Sequence, residues 1–349
     1  MKKPSYSVVI AVDKIGKELP VLEGLRKLPA DERPQEVFAC VGKNPSLQRN
    51  LGVRQCKSPV VYFLDDDSVV IPGTVKHLLS HFEDKRTGVA GGPNLVPPNA
   101  ASFEKTVSAV LASWMGSFKV RTRYASIGSV KEATEKDLIL CNMMVRRETF
   151  LSQNGFRIDL FPNEENEFLN RLLFSGFRLV YDPRGAVYRS RRKSLEAFCY
   201  QAFRYGRGRA RQIKVYPCLS DIVHLIPAFF LFYLMTLALA LITPLLPNVS
   251  WMSEPLALFK CPLWWAPLGL FLLGALGTGI SAASWHRRFF DSYKVPILIF
   301  LRHSFYGLGL IAGFFTSIPK PPQDVKVFKV LGNKKGHRFA PVSLKGVKK

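Results

Sequence analysis

The sequence predicts an α/β sheet domain followed by an α-helical membrane region. Three observations carry that prediction. Short apolar, β-rich runs alternate with helix-like segments upstream of residue 220; three long apolar runs follow; and positive charge gathers around them. The 349 residues suffice for one or two domains with a buried core. At 48% apolar and 21% charged, the composition is not that of a disordered chain.

The elements follow in chain order. Lys2 and Lys3 precede only the apolar run 7–12 before Asp13, which is too short for a signal-peptide core and reads as a first buried strand. Residues 36–41 and 60–64 read as further strands, and 19–28 and 75–82 as helices between or after them. Strand–helix–strand alternation of this kind predicts a sheet domain over residues 1–190, which is expected to stay cytosolic. From residue 189 to 214 the chain holds nine Lys and Arg against one acid, Glu196, while Leu195, Phe198, Ala202 and Tyr205 fall on one helical face. Residues 191–220 therefore read as a basic amphipathic segment lying against anionic headgroups.

The membrane region, 221–319, contains three hydrophobic segments. Residues 222–246 hold no Lys, Arg, Asp or Glu and one His, His224; 263–285 hold no charge, and 295–318 are interrupted by Arg302 and His303. A span needs about 20 apolar residues, which all three provide. A basic tail, 320–349, carries Lys320, Lys326, Lys329, Lys334, Lys335, Arg338, Lys345, Lys348 and Lys349 against Asp324 alone. Three crossings would put this tail outside, whereas the positive-inside rule keeps it in the cytosol. The conflict disappears if 295–318 does not cross, which also spares Arg302 from lipid. The expected location is the cytoplasmic membrane, multi-pass, with the sheet domain facing the cytosol.

Charge narrows the partners. The net charge is +23, from 49 Lys and Arg against 26 Asp and Glu, which implies a polyanion nearby. No helix-turn-helix, RNA-recognition or zinc-finger pattern is present, so an anionic lipid membrane and phosphate-bearing substrates are expected, and nucleic acid is not. Cys40, Cys56, Cys141, Cys199, Cys218 and Cys261 form no CxxC pair, which argues against a disulfide framework or structural zinc.

Three motifs carry chemistry. The run 60–64 leads directly into Asp65-Asp66-Asp67. Alternation along an extended chain turns Asp65 and Asp67 the same way and Asp66 the other. Two carboxylates at the carboxyl end of a buried strand suit a hard cation, Mn²⁺ or Mg²⁺, at the edge where open α/β sheets bind ligands. An acidic turn meeting solvent is the plainer alternative. Asn163-Glu164-Glu165 opens a helix-like segment; Asn163 suits an N-cap and the acids suit the helix dipole, so capping alone would explain them. Gln201-Ala202-Phe203-Arg204-Tyr205 lies in the basic segment, where Arg204 either meets lipid headgroups or holds a phosphorylated substrate.

In this order the motifs resemble glycosyltransferase family 2, with its GT-A nucleotide-sugar-binding domain, over about residues 5–215 and into the apolar runs. Phe63-Leu64-Asp65-Asp66-Asp67 is similar to the family's metal-binding strand, and 142–150 followed by Gly155-Phe156 to its acceptor-side segment. Asn163-Glu164-Glu165 is similar to the motif whose second acid is the catalytic base, and 201–205 is a Tyr variant of the QxxRW motif. Residues 205–211 with Arg302-His303 resemble the membrane-bound, succinoglycan-type exopolysaccharide glucosyltransferases. The chain departs from the pattern at three places. The stretch 40–46 lacks the carboxylate usual after the second strand, the base is Glu165 where Asp is usual, and Tyr188-Arg189 stand where a His is often found.

The resemblance implies an inverting, metal-dependent transfer of a sugar from a nucleotide-diphosphate-sugar, a UDP-sugar first among them. Glu165 would be the base with Glu164 beside it; Asp65 and Asp67 the metal ligands; Asp13, Asp65, Asp66, Gln201 and Arg204 the donor-binding residues. A site at the membrane surface points to a polyprenyl-diphosphate-linked saccharide as acceptor. The alternatives are a polyprenyl-phosphate glycosyl synthase and a non-catalytic membrane scaffold derived from the same fold.

Overall fold

The computed structural model describes residues 5–14, 19–215, 217, 221–242, 261–286, 293–317, 322–333 and 336–344. Its elements in chain order are β1 (Tyr6–Val12), α1 (Pro20–Lys27), β2 (Glu36–Gly42), α2 (Pro45–Gln55), β3 (Val60–Asp65), β4 (Ser68–Val70), α3 (Thr74–Ser80), β5 (Thr87–Gly91), β6 (Asn94–Leu95), α4 (Ser102–Ala112) and α5 (Trp114–Ser117). They continue with β7 (Lys131–Glu132), β8 (Asn142–Arg146), α6 (Arg147–Ser152), α7 (Glu164–Phe174), β9 (Arg178–Tyr181), β10 (Val187–Arg189), α8 (Leu195–Val215), α9 (Ile222–Ile242), α10 (Ala266–His286), α11 (Lys294–Phe315), β11 (Val325–Asn333) and β12 (Gly336–Pro341). The chain divides into two units, one built from 1–100, 119–191 and 318–349, the other from 101–118 and 192–317.

The first unit is the expected α/β sheet. Its nine strands run in the order β12-β11-β2-β1-β3-β8-β5-β9-β7, with β1 parallel to β2 and β3, and β8 antiparallel to β3 and β5. A smaller sheet has the order β4-β10-β6. The period-two alternation of β1 and β3 supplies a core on each face. Val9, Val61 and Phe63 pack with α2, α6 and α7, whereas Val8, Ile10, Tyr62 and Leu64 pack with α1 and α3. Burying each such Val, Leu or Phe contributes about 1.5–3 kcal/mol. Close approach of α2 to the sheet depends on Gly52, where a Cβ would lie 2.6 Å from Val9 Cγ1 and 2.8 Å from Cys40 Sγ.

The C-terminal residues differ from the separate basic tail expected of them. β11 pairs antiparallel with β2 and hairpins back through β12, so this segment forms the sheet's edge. The reason lies in one face of β11: Val325 and Val327 enter the core beside β2, and Lys329, next on that face, reaches Glu36 of β2 at 3.0 Å. Lys320, Lys334, Lys335, Lys345, Lys348 and Lys349 lie outside the described residues, as does Cys218.

Among the described residues of the second unit, three helices are long and apolar enough to cross a membrane: α9, residues 262–282 around α10, and α11. The first two are 6% and 11% buried in their most apolar stretch; α11 is 39% buried there. α11 runs along α8 at backbone contact. A Cβ at Gly206 would overlap the Tyr306 carbonyl, and one at Gly309 the Phe203 carbonyl. Arg302 Nε donates to Gly116 O at 2.6 Å, and His303 Nε2 lies 2.8 Å from Met115 O. On α8 the buried residues are Phe198, Cys199, Ala202, Gly206, Gly208, Ala210 and Gln212. Leu195, read from its spacing as part of the apolar face, is 48% exposed because it stands at the helix's first turn.

Candidate active site

β3 ends at Asp65, and Asp66 and Asp67 form the turn into β4. The two outer carboxylates are therefore brought to face one partner by a turn rather than by strand alternation. Behind them, Phe63 lies 5.4 Å and 5.3 Å (ring centroids) from Phe150 and Phe156, and both of those rings pack on Phe168 at 5.1 and 5.0 Å. Phe63 stands two residues before Asp65, and Phe168 one helical turn after Glu164. This aromatic cluster thus clamps the end of β3 to the start of α7, and tilted or edge-to-face ring pairs add about 0.5–1.5 kcal/mol each beyond burial.

Arg49, from the buried face of α2, connects the two acidic motifs. Its Nη2 donates to Asp65 Oδ1 at 2.8 Å and its Nη1 to Glu164 Oε1 at 3.3 Å. The guanidinium is 7% exposed and the Glu164 side chain 2%. Glu164 is held well above the ordinary carboxylate value of 4.5, chiefly by burial and then by the Glu165 carboxylate, with Arg49 opposing both. Glu164 Oε2 and Asn163 Nδ2 are buried without a hydrogen-bond partner among the described residues. Glu165 lies 3.7 Å from Arg123 Nη1, and Arg123 Nη2 donates to Asn166 Oδ1 at 2.7 Å. Asn163 precedes α7 as expected but makes no side-chain cap, while Glu164, Glu165 and Glu167 stand in the first turn, where acids suit the helix dipole.

Arg189, the last residue of β10, closes the other side. The antiparallel register sets Arg189 opposite Ser68, next to the acidic turn. Its Nη2 reaches Asp65 Oδ2 and its Nε reaches Asp67 Oδ1, both at 2.9 Å. Arg191, two residues on, donates to Asn94 Oδ1 at 2.7 Å and Asn94 O at 2.6 Å, which fixes this strand end.

Arg49 and Arg189, neither of them marked as a site residue by the sequence, thus bring Asp65, Asp67 and Glu164 together, while Glu165, the neighbour of Glu164, pairs with Arg123. Asp13 stands exposed just past β1, beside the strand that carries Asp65. Asp66 occupies the turn, and its carbonyl accepts from the Val21 amide at 3.3 Å. Gln201 and Arg204 lie on α8 in the second unit, where Gln201 Nε2 donates to Tyr205 Oη at 3.2 Å. Asn142, in the segment similar to the family's acceptor side, is a fully buried strut: it accepts from Tyr62 Oη at 2.6 Å and donates to Pro93 O and Gly185 O.

A divalent cation does not fit between Asp65 and Asp67 as these residues stand. Both Asp65 oxygens and one of Asp67 already accept from guanidinium N–H groups, and an arginine cannot lose its proton to become a ligand. Among the described residues, no group of three or more His, Cys, Asp and Glu is placed to hold a metal.

The sequence profile of Glycosyl transferase family group 2 matches residues 60–278. No curated protein matches the chain. Among solved structures, the chain is similar to mannosyltransferase PcManGT from Pyrobaculum calidifontis in complex with GDP-Man and Mn²⁺, at 13% identity over 90% of this chain and 88% of that one, with a TM-score of 0.47. It is also similar to TarS 1-349 of S. aureus in complex with UDP-GlcNAc (13%, 87% and 89%, TM-score 0.40). A third similarity is to GalNAc-T7 with UDP, GalNAc and Mn²⁺ (12%, 60% and 51%, TM-score 0.39).

Proposed function

The chain belongs to glycosyl transferase family group 2, and on that premise we propose that it moves a sugar, with inversion, from a nucleotide-diphosphate-sugar to a lipid-linked saccharide at the cytosolic face of a membrane. The observation that carries this reading is Arg49 joining Asp65 to Glu164. It gathers the acidic strand end and the acidic helix start at the carboxyl edge of the parallel strands, where such sheets bind ligands.

In the proposed reaction Glu165 takes the proton of the acceptor hydroxyl as that oxygen attacks the anomeric carbon. The anomeric C–O bond breaks with its electron pair going to the nucleoside diphosphate. Glu164 and Arg49 hold Glu165 and Asp65 in register. Asp13 and Asp66 bind the base and ribose, and Gln201 with Arg204 binds the diphosphate. Arg204, Arg207 and Arg211 recur at helical spacing on α8. Burial, then the charges of Arg207 and Arg204, hold the Arg211 guanidinium below its usual value, which favours a bound anion there. A donor phosphate or a polyprenyl diphosphate has that chemistry.

The membrane placement we propose is two crossings, α9 and α10, with α11 lying at the interface. What supports an even number of crossings is the pairing of β11, which follows α11, with β2 in the sheet that precedes α9. α8 is too basic to enter lipid, and α11 packs along it at backbone contact and is the most buried of the three apolar helices.

The test is nucleoside diphosphate release from a panel of UDP- and GDP-sugars by the full chain in lipid, with polyprenyl-diphosphate saccharides supplied. Release from one donor, lost in Glu165→Gln, is the expected result. No release from any donor would leave the scaffold alternative standing.

A further inference from the structure

We propose that Arg189 does the work of a divalent cation in this site: its guanidinium, held by Asp65 and Asp67, neutralises the leaving nucleoside diphosphate, and no metal binds there. This rests on the reading of the chain as a nucleotide-sugar transferase and goes beyond it.

Three observations carry the proposal. First, Arg189 bridges the acidic turn as a fork, with one N–H on Asp65 and another on Asp67, each at 2.9 Å. Such planar, charge-assisted pairs are short and orientationally fixed. Second, that position is set by backbone register, because Arg189 pairs directly opposite Ser68 across β10 and β4. Third, Arg49 takes the remaining oxygen of Asp65 at 2.8 Å. A cation placed between Asp65 and Asp67 would therefore have to expel one guanidinium and sit against a second. The carboxylates of this turn act here as positioning groups for an arginine, reversing the metal-ligand role expected of them from the sequence.

The chemistry balances without a metal. The anomeric C–O bond breaks toward the diphosphate oxygen, whose added negative charge meets Arg189; the acceptor oxygen forms the new bond, and its proton goes to Glu165. A guanidinium keeps its charge at any accessible pH and offers N–H donors matched to phosphate oxygens.

The experiment uses the full chain in lipid nanodiscs. Mn²⁺ alone is titrated against the wild type and its free fraction read by electron paramagnetic resonance. UDP and GDP binding are then measured in EDTA and in Mn²⁺. We expect no Mn²⁺ site in the micromolar range on wild type, nucleotide binding in EDTA within twofold of that in Mn²⁺, and at least tenfold weaker binding in Arg189→Ala. A micromolar Mn²⁺ site on wild type overturns the proposal, as does nucleotide binding that EDTA abolishes and Mn²⁺ restores. If neither nucleotide binds under either condition, the donor reading fails, while the Mn²⁺ titration still decides whether the turn takes a metal. The wild-type arms need no variant to fold.

Discussion

Glu164→Gln separates a buried, protonated carboxyl from a buried ion. Glu164 is 1% exposed and its proton affinity is raised in the folded chain, so the folded state holds that proton more tightly than the unfolded state does. The sign follows from linkage. Below the ordinary value of 4.5 both states are protonated and nothing is lost; as pH rises above it, the unfolded chain ionises first and stability falls, until the folded carboxyl ionises in turn. The ceiling on that slope is about 1.4 kcal/mol per pH unit, or about 3 kcal/mol between pH 5 and pH 7. For a unit of this size, that is a fall in Tm of about 6–12 °C. Gln keeps an oxygen for Arg49 Nη1 but cannot ionise. The assay is intrinsic tryptophan fluorescence on heating, at pH 5, 6 and 7, for wild type and variant in the same lipid. The wild-type Tm should fall across this range more steeply than that of the variant, by most of that amount. Parallel profiles would refute the reasoning, because they would mean that Arg49 keeps Glu164 ionised throughout.

Other outcomes follow from single contacts. Val327→Ala deletes two methyl groups from the core beside β2 and should cost about 2 kcal/mol, read as a lower denaturation midpoint with the m-value unchanged. Gly309→Leu forces a side chain into the Phe203 carbonyl and should destabilise the α8–α11 pair by about 1–3 kcal/mol, seen as faster proteolysis within 195–215. Asp182, which burial would raise, is instead lowered to about 2 by Arg184 and His81. Its contribution is present above the ordinary carboxylate value and is lost as pH falls toward 2. Asp182→Asn should therefore flatten the acid limb of the stability curve, as measured by urea denaturation between pH 5 and pH 3. A tag placed after residue 344 should resist an impermeant label applied to the outside of intact cells; labelling there would mean an odd number of crossings.

How much of this could be read beforehand depended on whether the physics left a periodic trace. β1 and β3 were legible because buried strands are continuous apolar runs, and β2 by its buried centre Phe38-Ala39-Cys40; the observed limits differ from the expected ones by a residue or two. α2 left no such trace, since its buried face mixes Leu47, Leu51 and Val53 with Ser46, Gln48 and Arg49. Arg49 was invisible for the same reason: among 49 Lys and Arg, nothing in one sequence marks the cation that will be buried between two carboxylates. The β11–β12 hairpin did leave a signal, the β-branched and aromatic run Val325-Lys326-Val327-Phe328-Lys329-Val330, but its positive charge pointed toward a tail. Arg189 was noticed only as a residue standing where a His is often found. Its role emerges from register, which pairs it with the acidic turn far away in sequence.

The central claim is that a sugar passes from a nucleotide to a lipid-held acceptor, with Glu165 taking the proton. The most direct test is transfer of radiolabel from the donor sugar into organic-solvent-extractable product by membranes carrying the full chain, with the anomer of the product assigned by NMR. The account predicts label in the lipid phase, an anomeric configuration opposite to the donor's, and loss of both in Glu165→Gln. Retained configuration, or undiminished transfer by Glu165→Gln, would contradict it.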